Sequence, residues 1–240
     1  MHAIWVITKR ELNSFFDSLI AYILLILFLG FSGLFTWLYG NDVFFIGQAT
    51  LQPFFSVAFW TLFFFIPGLT MRLLAEEKKS GTIELLLTKA VTDRQVVLGK
   101  FFSTLLLICV SLAFTLPYIF TLASIGNVDL GQIACGYLAL ILMSASYISI
   151  GLFASSITSN QIVALLLTMF IGLFFQMIFE LLSGAGSGFI FTLLNTLSLS
   201  THFESMSRGV IDSRDVIYFL SIIFIGLFLS ESSLTKRNLS

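Results

Sequence analysis

Six stretches of this chain are charge-free or nearly so and long enough to dictate its fold: Leu19 to Tyr39, Phe54 to Met71, Phe101 to Ala123, Ile133 to Ala154, Ile162 to Phe179 and Val216 to Ser230. Most approach the roughly 20 residues that a helix needs to cross about 30 Å of hydrocarbon. The last is short and reaches that length only if its helix starts near Ser213 and runs past Glu231. In lipid no water is present to satisfy backbone N–H and C=O groups, so each run must bond within itself as a helix. Long unbroken apolar runs also exclude a transmembrane β-barrel, whose strands alternate over shorter segments. Composition agrees. Only 10% of residues are charged and mean hydropathy is +1.01, against about a quarter charged in a soluble domain. That is too little charge to coat a globule with water-facing surface.

The sequence is therefore read as an all-α integral membrane protein, a single domain over 1–240 with six transmembrane helices. Polar residues mark the helix starts. Ser14 to Asp17, Thr92 to Gln95, Asp129 to Gln132 and Thr158 to Gln161 each resemble a capping pattern, in which a short polar side chain and a second one three residues on satisfy free backbone donors. Basic residues set the orientation. Lys9 and Arg10, then Arg72, Lys78, Lys79, Lys89, Arg94 and Lys100, then Lys236 and Arg237 fall on one side; Arg208 and Arg214 fall on the other. Both termini are expected in the cytoplasm of a bacterial cell with this chain in its inner membrane. The first span is uninterrupted and has no small-residue cleavage site, so it reads as an anchor.

Three further segments stand out. Within residues 1–17, Ile4, Trp5, Thr8, Leu12, Phe15 and Phe16 share one helical face, broken by Val6 and Ile7; this predicts an amphipathic interfacial helix. The loop 72–100 between the second and third spans mixes both signs of charge around Gly81-Thr82, followed by a short helix with Ile83, Leu86 and Leu87 on one face and Glu84 on the other. Such a helix suits a groove on a partner protein, and the same residue types suit an ordinary solvated loop equally well. The outer connection 182–215 contains an apolar stretch, Gly188 to Leu199, too short to span; short interfacial or re-entrant helices are expected there.

Chemistry-bearing patterns are sparse. There is no phosphate-binding loop; Gly99-Lys100 is followed by Phe. Leu182-Ser-Gly-Ala-Gly186 has no such loop to serve. No nucleophile–base–acid set recurs on one membrane face. Cys109 and Cys135 sit in apolar runs and His2 and His202 near opposite ends, so no metal site is expected. No basic block exists to track a nucleic-acid backbone. Within the membrane, Gln176 and Glu180 are spaced to share a face near the end of the fifth span. They mark either a translocation path or an interface, or an ordinary interfacial acid. Ser144, Ala145, Ser146, Ser149, Gly151, Ala154, Ser155 and Ser156 make the fourth span a small-residue surface fit for close helix packing.

The pattern Glu76-Glu-Lys-Lys-Ser-Gly81-Thr82-Ile-Glu84-Leu-Leu86-Leu, with Val97-Leu-Gly99-Lys100 and the outer stretch His202 to Val216, resembles the ABC-2-type permeases, the six-helix membrane subunits of type V ABC exporters. Within that family the chain also resembles the permease of the gliding-motility-associated ABC transporter. The family often has Pro where this chain has Ala90, which leaves the end of the short helix undefined. The resemblance implies that Gly81, Thr82, Glu84 and Leu86 form a coupling helix seated on a separate ATPase, with Glu76 and Glu77 at the preceding elbow. It implies that Lys100 anchors the third span at the headgroups, that residues 1–17 are the interfacial helix, and that Gly184 to Thr201 is re-entrant. It further implies a non-catalytic chain with no cofactor of its own, ATP and Mg on the partner ATPase, and a second permease subunit alongside. The residues leave open two other readings: a structural component of a gliding or secretion machine, and a secondary transporter needing no ATPase. The second would ordinarily hold several ionisable groups at mid-membrane, and this chain has almost none.

Overall fold

The computed structural model describes residues 2–39, 43–81, 92–184, 186 and 188–237, and among them every regular element is a helix. In chain order these are α1 (His2–Asp17), α2 (Ile20–Trp37), α3 (Val43–Ile46), α4 (Gln52–Thr70), α5 (Ala75–Ser80), α6 (Asp93–Ala113), α7 (Pro117–Ile125), α8 (Leu130–Ile157), α9 (Gln161–Leu173), α10 (Phe179–Ser183), α11 (Phe189–Leu197), α12 (Leu199–Ser207) and α13 (Ser213–Arg237). Among the described residues, six helical stretches are long and apolar enough to cross a membrane: α2, α4 with α5, α6 with α7, α8, α9 with α10, and α13. They fall on the six apolar runs, and the last starts at Ser213 and passes Glu231 as its length requires.

Local chemistry sets most of the boundaries. Thr92 and Gln95 form a reciprocal capping box at the start of α6. Asp129 accepts from the Gly131 and Gln132 amides at the start of α8. At α9 the cap is Asn160, which accepts from the Ile162 amide, and Thr158 accepts from Asn160 one step earlier. Ser14 to Asp17 is not a start: it lies inside α1, and the turn into α2 is made by Leu19 with φ of 60°. Pro117 lacks a donor and ends the regular part of α6, so the third span continues as α7 after a short turn.

The core is organised around α8. Its serine, alanine and glycine face is buried throughout, which makes it an intramolecular packing surface. A Cβ added at Gly151 would lie 2.1 Å from Thr70 Oγ1 of the second span, and one at Gly136 would lie 2.2 Å from Phe55. From the other side, a Cβ at Gly226 of α13 would meet Ser149 Oγ at 2.5 Å, and one at Gly172 of α9 would meet Tyr147 at 2.8 Å. With lipid outside there is no hydrophobic drive between spans, so close backbone approach and interhelical hydrogen bonds must hold the bundle. Thr115 and Tyr137 supply one such bond at 2.8 Å. The first, fifth and sixth spans bury little of their surface and leave broad apolar faces outward.

Helix α1 forms as expected, with its buried stripe shifted from the expected face. Ile7, Thr8 and Phe15 are buried, with Ile4, Glu11 and Leu12 partly so, while Trp5 and Val6 are exposed. Ile7, which breaks the face read from sequence, is the residue that fits against Gly99 of α6, and Thr8 donates to the Gly99 carbonyl at 3.2 Å. The helix packs on protein as well as presenting Trp5 outward. Between the fifth and sixth spans, α11 has no buried residue and α12 buries Leu199, Phe203 and Met206.

Because α8 has no spare volume beside Gly151, Gly151→Leu is expected to lower the detergent melting midpoint by an amount equivalent to about 1–3 kcal/mol of overpacking. Gly30→Ala, which meets open space, is the matched control and is expected to melt at or above the wild-type temperature.

Candidate functional site

The second span does not run straight into the loop. Helix α4 ends at Thr70 and α5 begins at Ala75, leaving free amides at the break. Ser155, from the far end of α8, satisfies them: its hydroxyl accepts from the Leu74 amide at 3.1 Å and the Ala75 amide at 2.9 Å, and donates to the Met71 carbonyl at 3.1 Å. One short side chain thus pins the elbow of the second span to the central helix. Lys78 adds a bond from its ammonium to the Ser156 carbonyl.

Helix α5 carries Glu76 and Glu77 in its first turn and ends at Gly81, whose φ of 71° gives the left-handed cap that a residue with a side chain rarely adopts. Glu76 faces outward, and Glu77 turns in. Glu77 accepts from the Lys100 ammonium at 2.8 Å, and Glu11 of α1 lies 3.4 Å from the same nitrogen. Lys100 is 1% exposed. Arg10 joins the cluster through Glu11 and approaches Glu77 at 3.7 Å. Arg72 at the elbow donates to Ser18 at 3.2 Å and lies over the Phe15 ring at 5.5 Å. The result is a largely buried charge network that binds α1, α5 and α6 at one end of the bundle. Burial alone would push the Glu11 carboxyl up; the Lys100 ammonium, then Arg10, outweigh it and hold it below the usual carboxylate range.

This corrects the expected role of Lys100. Its side chain is enclosed by protein and its charge is met by two carboxylates, so it does not reach the headgroups; it fixes the position of α5. Thr82, Glu84 and Leu86, expected in the coupling helix, lie outside the described residues. Glu11 and Ser155 belong to the site and escape the motif reading. The available signal is Lys100 itself: a cation directly against an apolar run requires a carboxylate partner, and Glu11 lies on the buried side of α1.

Gln176 and Glu180 do not act as a pair. The fifth span passes through a π-helical turn at Phe174–Ile178, which inserts one residue and breaks the four-residue register. Gln176 is buried, accepting from the Tyr147 hydroxyl on its side chain and from the Ser200 hydroxyl on its carbonyl. Glu180 is exposed and lines an open cleft of about 750 Å³, shared with Gln52, Gln132, Trp60 and Glu204 at the opposite end of the bundle. Gln132 donates to Gln52 at 3.3 Å, and Gln52 to Ser207 at 3.2 Å. Nearby, His202 ties three helices together: Nδ1 is 2.6 Å from Asp215 of α13, Nε2 is 2.9 Å from the Thr196 carbonyl of α11, and its ring stacks on Tyr218.

A six-span helical bundle with a charge network at one end and a polar cleft at the other defines a multi-pass membrane protein. A family model described as ABC-2 family transporter protein matches residues 52–207. That match covers more than half of the chain, which belongs to this family of membrane transport components. A search of curated proteins finds no match.

Removing one partner of a buried ion pair strands the other. Lys100→Met is expected to destabilise the bundle by about 3–5 kcal/mol, read as a fall in melting midpoint, and Lys100→Met with Glu77→Gln to lose less than the two single losses combined. Glu11 has a depressed pKa when folded, so its stabilisation is complete above its ordinary pKa and lost as pH falls through the folded value. Melting midpoints taken downward from pH 7 should drop on that limb, and the drop should be shallower in Glu11→Gln.

Proposed function

We propose that this chain is the membrane-spanning permease subunit of an ATP-driven exporter, and that a separate ATPase docks on the loop that follows α5. In this reading Glu76, Glu77, Gly81, Thr82, Glu84 and Leu86 transmit the ATPase's closure into the spans, a second permease subunit completes the complex, and ATP with Mg stays on the partner. The chain itself hydrolyses nothing. The observation that carries the reading is the double attachment of α5: through Ser155 to the fourth span and through Glu77 and Lys100 to the third. A force applied beyond Gly81 reaches two spans at once, which suits a bundle that switches between two packings. A free surface loop would absorb the same force.

The basic end of the bundle would face the cytoplasm, with the Glu180 cleft on the outside as the exit region. The similarity to the gliding-motility-associated permease suggests a task in that machinery, as export or as mechanical work.

Glu84→Arg combined with Leu86→Asp is expected to abolish co-purification of the ATPase while membrane insertion and melting stay at wild-type levels. Undiminished co-purification would contradict a coupling role for this loop.

A further inference from the structure

His202 holds both of its ring nitrogens against acceptors. Nδ1 lies 2.6 Å from Oδ1 of Asp215, and Nε2 lies 2.9 Å from the Thr196 carbonyl. A carbonyl oxygen can only accept, so Nε2 must carry a proton. The contact between Nδ1 and the carboxyl group needs a second proton, whichever atom holds it. A neutral imidazole beside an ionised carboxylate has one proton for these two contacts. The geometry therefore requires the pair to hold one more, as imidazolium and carboxylate. The surroundings favour that distribution of charge. Asp215 is 5% exposed and sits in the first turn of α13, where the helix dipole favours an anion. Its Oδ2 has no hydrogen-bond partner among the described residues, which leaves His202 as the cation that offsets its charge. The imidazole stacks on the Tyr218 ring with centroids 4.0 Å apart, a contact that strengthens when the stacked group is a cation.

Thr196 belongs to the last turn of α11, and α11 has little else to hold it. The helix has no buried residue. Among the described residues, three side chains from outside it donate to it, all at its carboxyl end: Thr201 to Asn195 Oδ1 at 3.0 Å, His202 to the Thr196 carbonyl, and Tyr218 to the Leu197 carbonyl at 2.6 Å. Of these three donor types only an imidazole ordinarily changes charge between about pH 5 and 8. When one proton leaves the pair, the remaining one stays between Nδ1 and the carboxylate, because a lone pair facing a buried anion is the costlier alternative. Nε2 then turns a lone pair toward the Thr196 carbonyl, and an attraction becomes a repulsion. Helix α12 is anchored separately by buried Leu199, Phe203 and Met206.

We propose that His202 and Asp215 form a proton-operated latch on α11. With both protons in place, the carboxyl end of α11 is held against α12 and α13. With one lost, α11 detaches from α12, the helix that lines the polar cleft through Ser200, Phe203, Glu204 and Ser207. The latch is closed at low pH and opens as pH rises. Neighbouring groups do not supply the switch. Helices α11 and α8 carry no charged side chain. On α12, Glu204 and Arg208 pair with each other at 3.1 Å. Asp212 and Arg214 at the start of α13, and Glu180 of the fifth span, are exposed.

The test is hydrogen–deuterium exchange of residues 189–197 in the full chain in nanodiscs at pH 5.5 and 8.5, with rates corrected for the intrinsic pH dependence of exchange. In the wild type, protection of this segment is expected to fall by about tenfold or more at the higher pH, as loss of one charge-assisted hydrogen bond implies, while α8 is unchanged. His202→Gln should leave the segment unprotected at both pH values. Asp215→Asn should keep it protected at both, because the amide can donate to Nδ1 and free the single proton of a neutral imidazole for Nε2 and the Thr196 carbonyl. A folding defect does not produce these opposite signs. Equal protection of the wild-type segment at both pH values would overturn the proposal. So would wild-type protection in His202→Gln, or protection absent at pH 8.5 in Asp215→Asn.

Discussion

An ammonium group enclosed at the edge of a membrane bundle is tolerated only if carboxylates are brought to it, and Lys100 imposes that demand on its neighbours. Desolvating an isolated charge costs several kcal/mol, so the two acids that meet it are not free to drift. They come from different elements, Glu77 from the helix that leads into the connecting loop and Glu11 from the amino-terminal helix. One buried cation therefore fixes α1, α5 and α6 relative to each other. Thr8 on the Gly99 carbonyl and Arg72 on Ser18 reinforce the same arrangement. An exposed ion pair in this place would be worth little and would restrain nothing.

Behind this network the fourth span supplies rigidity. Its glycines and serines let three other spans approach until no methyl group can be added, and a core packed to that density shifts between discrete arrangements and does not bend gradually. Ser155 joins the two systems, since it belongs to the packed face of α8 and also caps the elbow of the second span. The other end of the bundle is built differently. There a π-helical turn, amide networks and a stacked His202 surround an open polar cleft. A tightly linked end and an open end are what a protein needs if force enters at one and cargo leaves at the other.

Much of this was legible in the residues, for physical reasons that differ by level. Span positions follow from hydropathy because lipid leaves the backbone one solution. The caps at Thr92 and Asp129 follow from local side-chain reach. The small-residue face of α8 announced its own packing. The face of α1 was misjudged because Ile7 was weighed against lipid, when its partner was Gly99, distant in sequence and near in space. The same limit applies to Lys100: a cation immediately before an apolar run looks like a headgroup anchor until Glu77 and Glu11 are placed beside it. The register of Gln176 and Glu180 failed because a single inserted residue in a π-helical turn has no compositional signature in Phe-Phe-Gln-Met-Ile.

Hydrogen–deuterium exchange on the full chain in lipid nanodiscs addresses the pivotal point, which is that the elbow and α5 are structural parts of the bundle. If the buried network and Ser155 hold them, amides of residues 71–80 are as protected as those of the adjoining spans. Lys100→Met then loosens 71–80 and the amino-terminal helix together. Rapid exchange across 71–80 in the wild-type chain, at the rate of an unattached loop, would contradict the account.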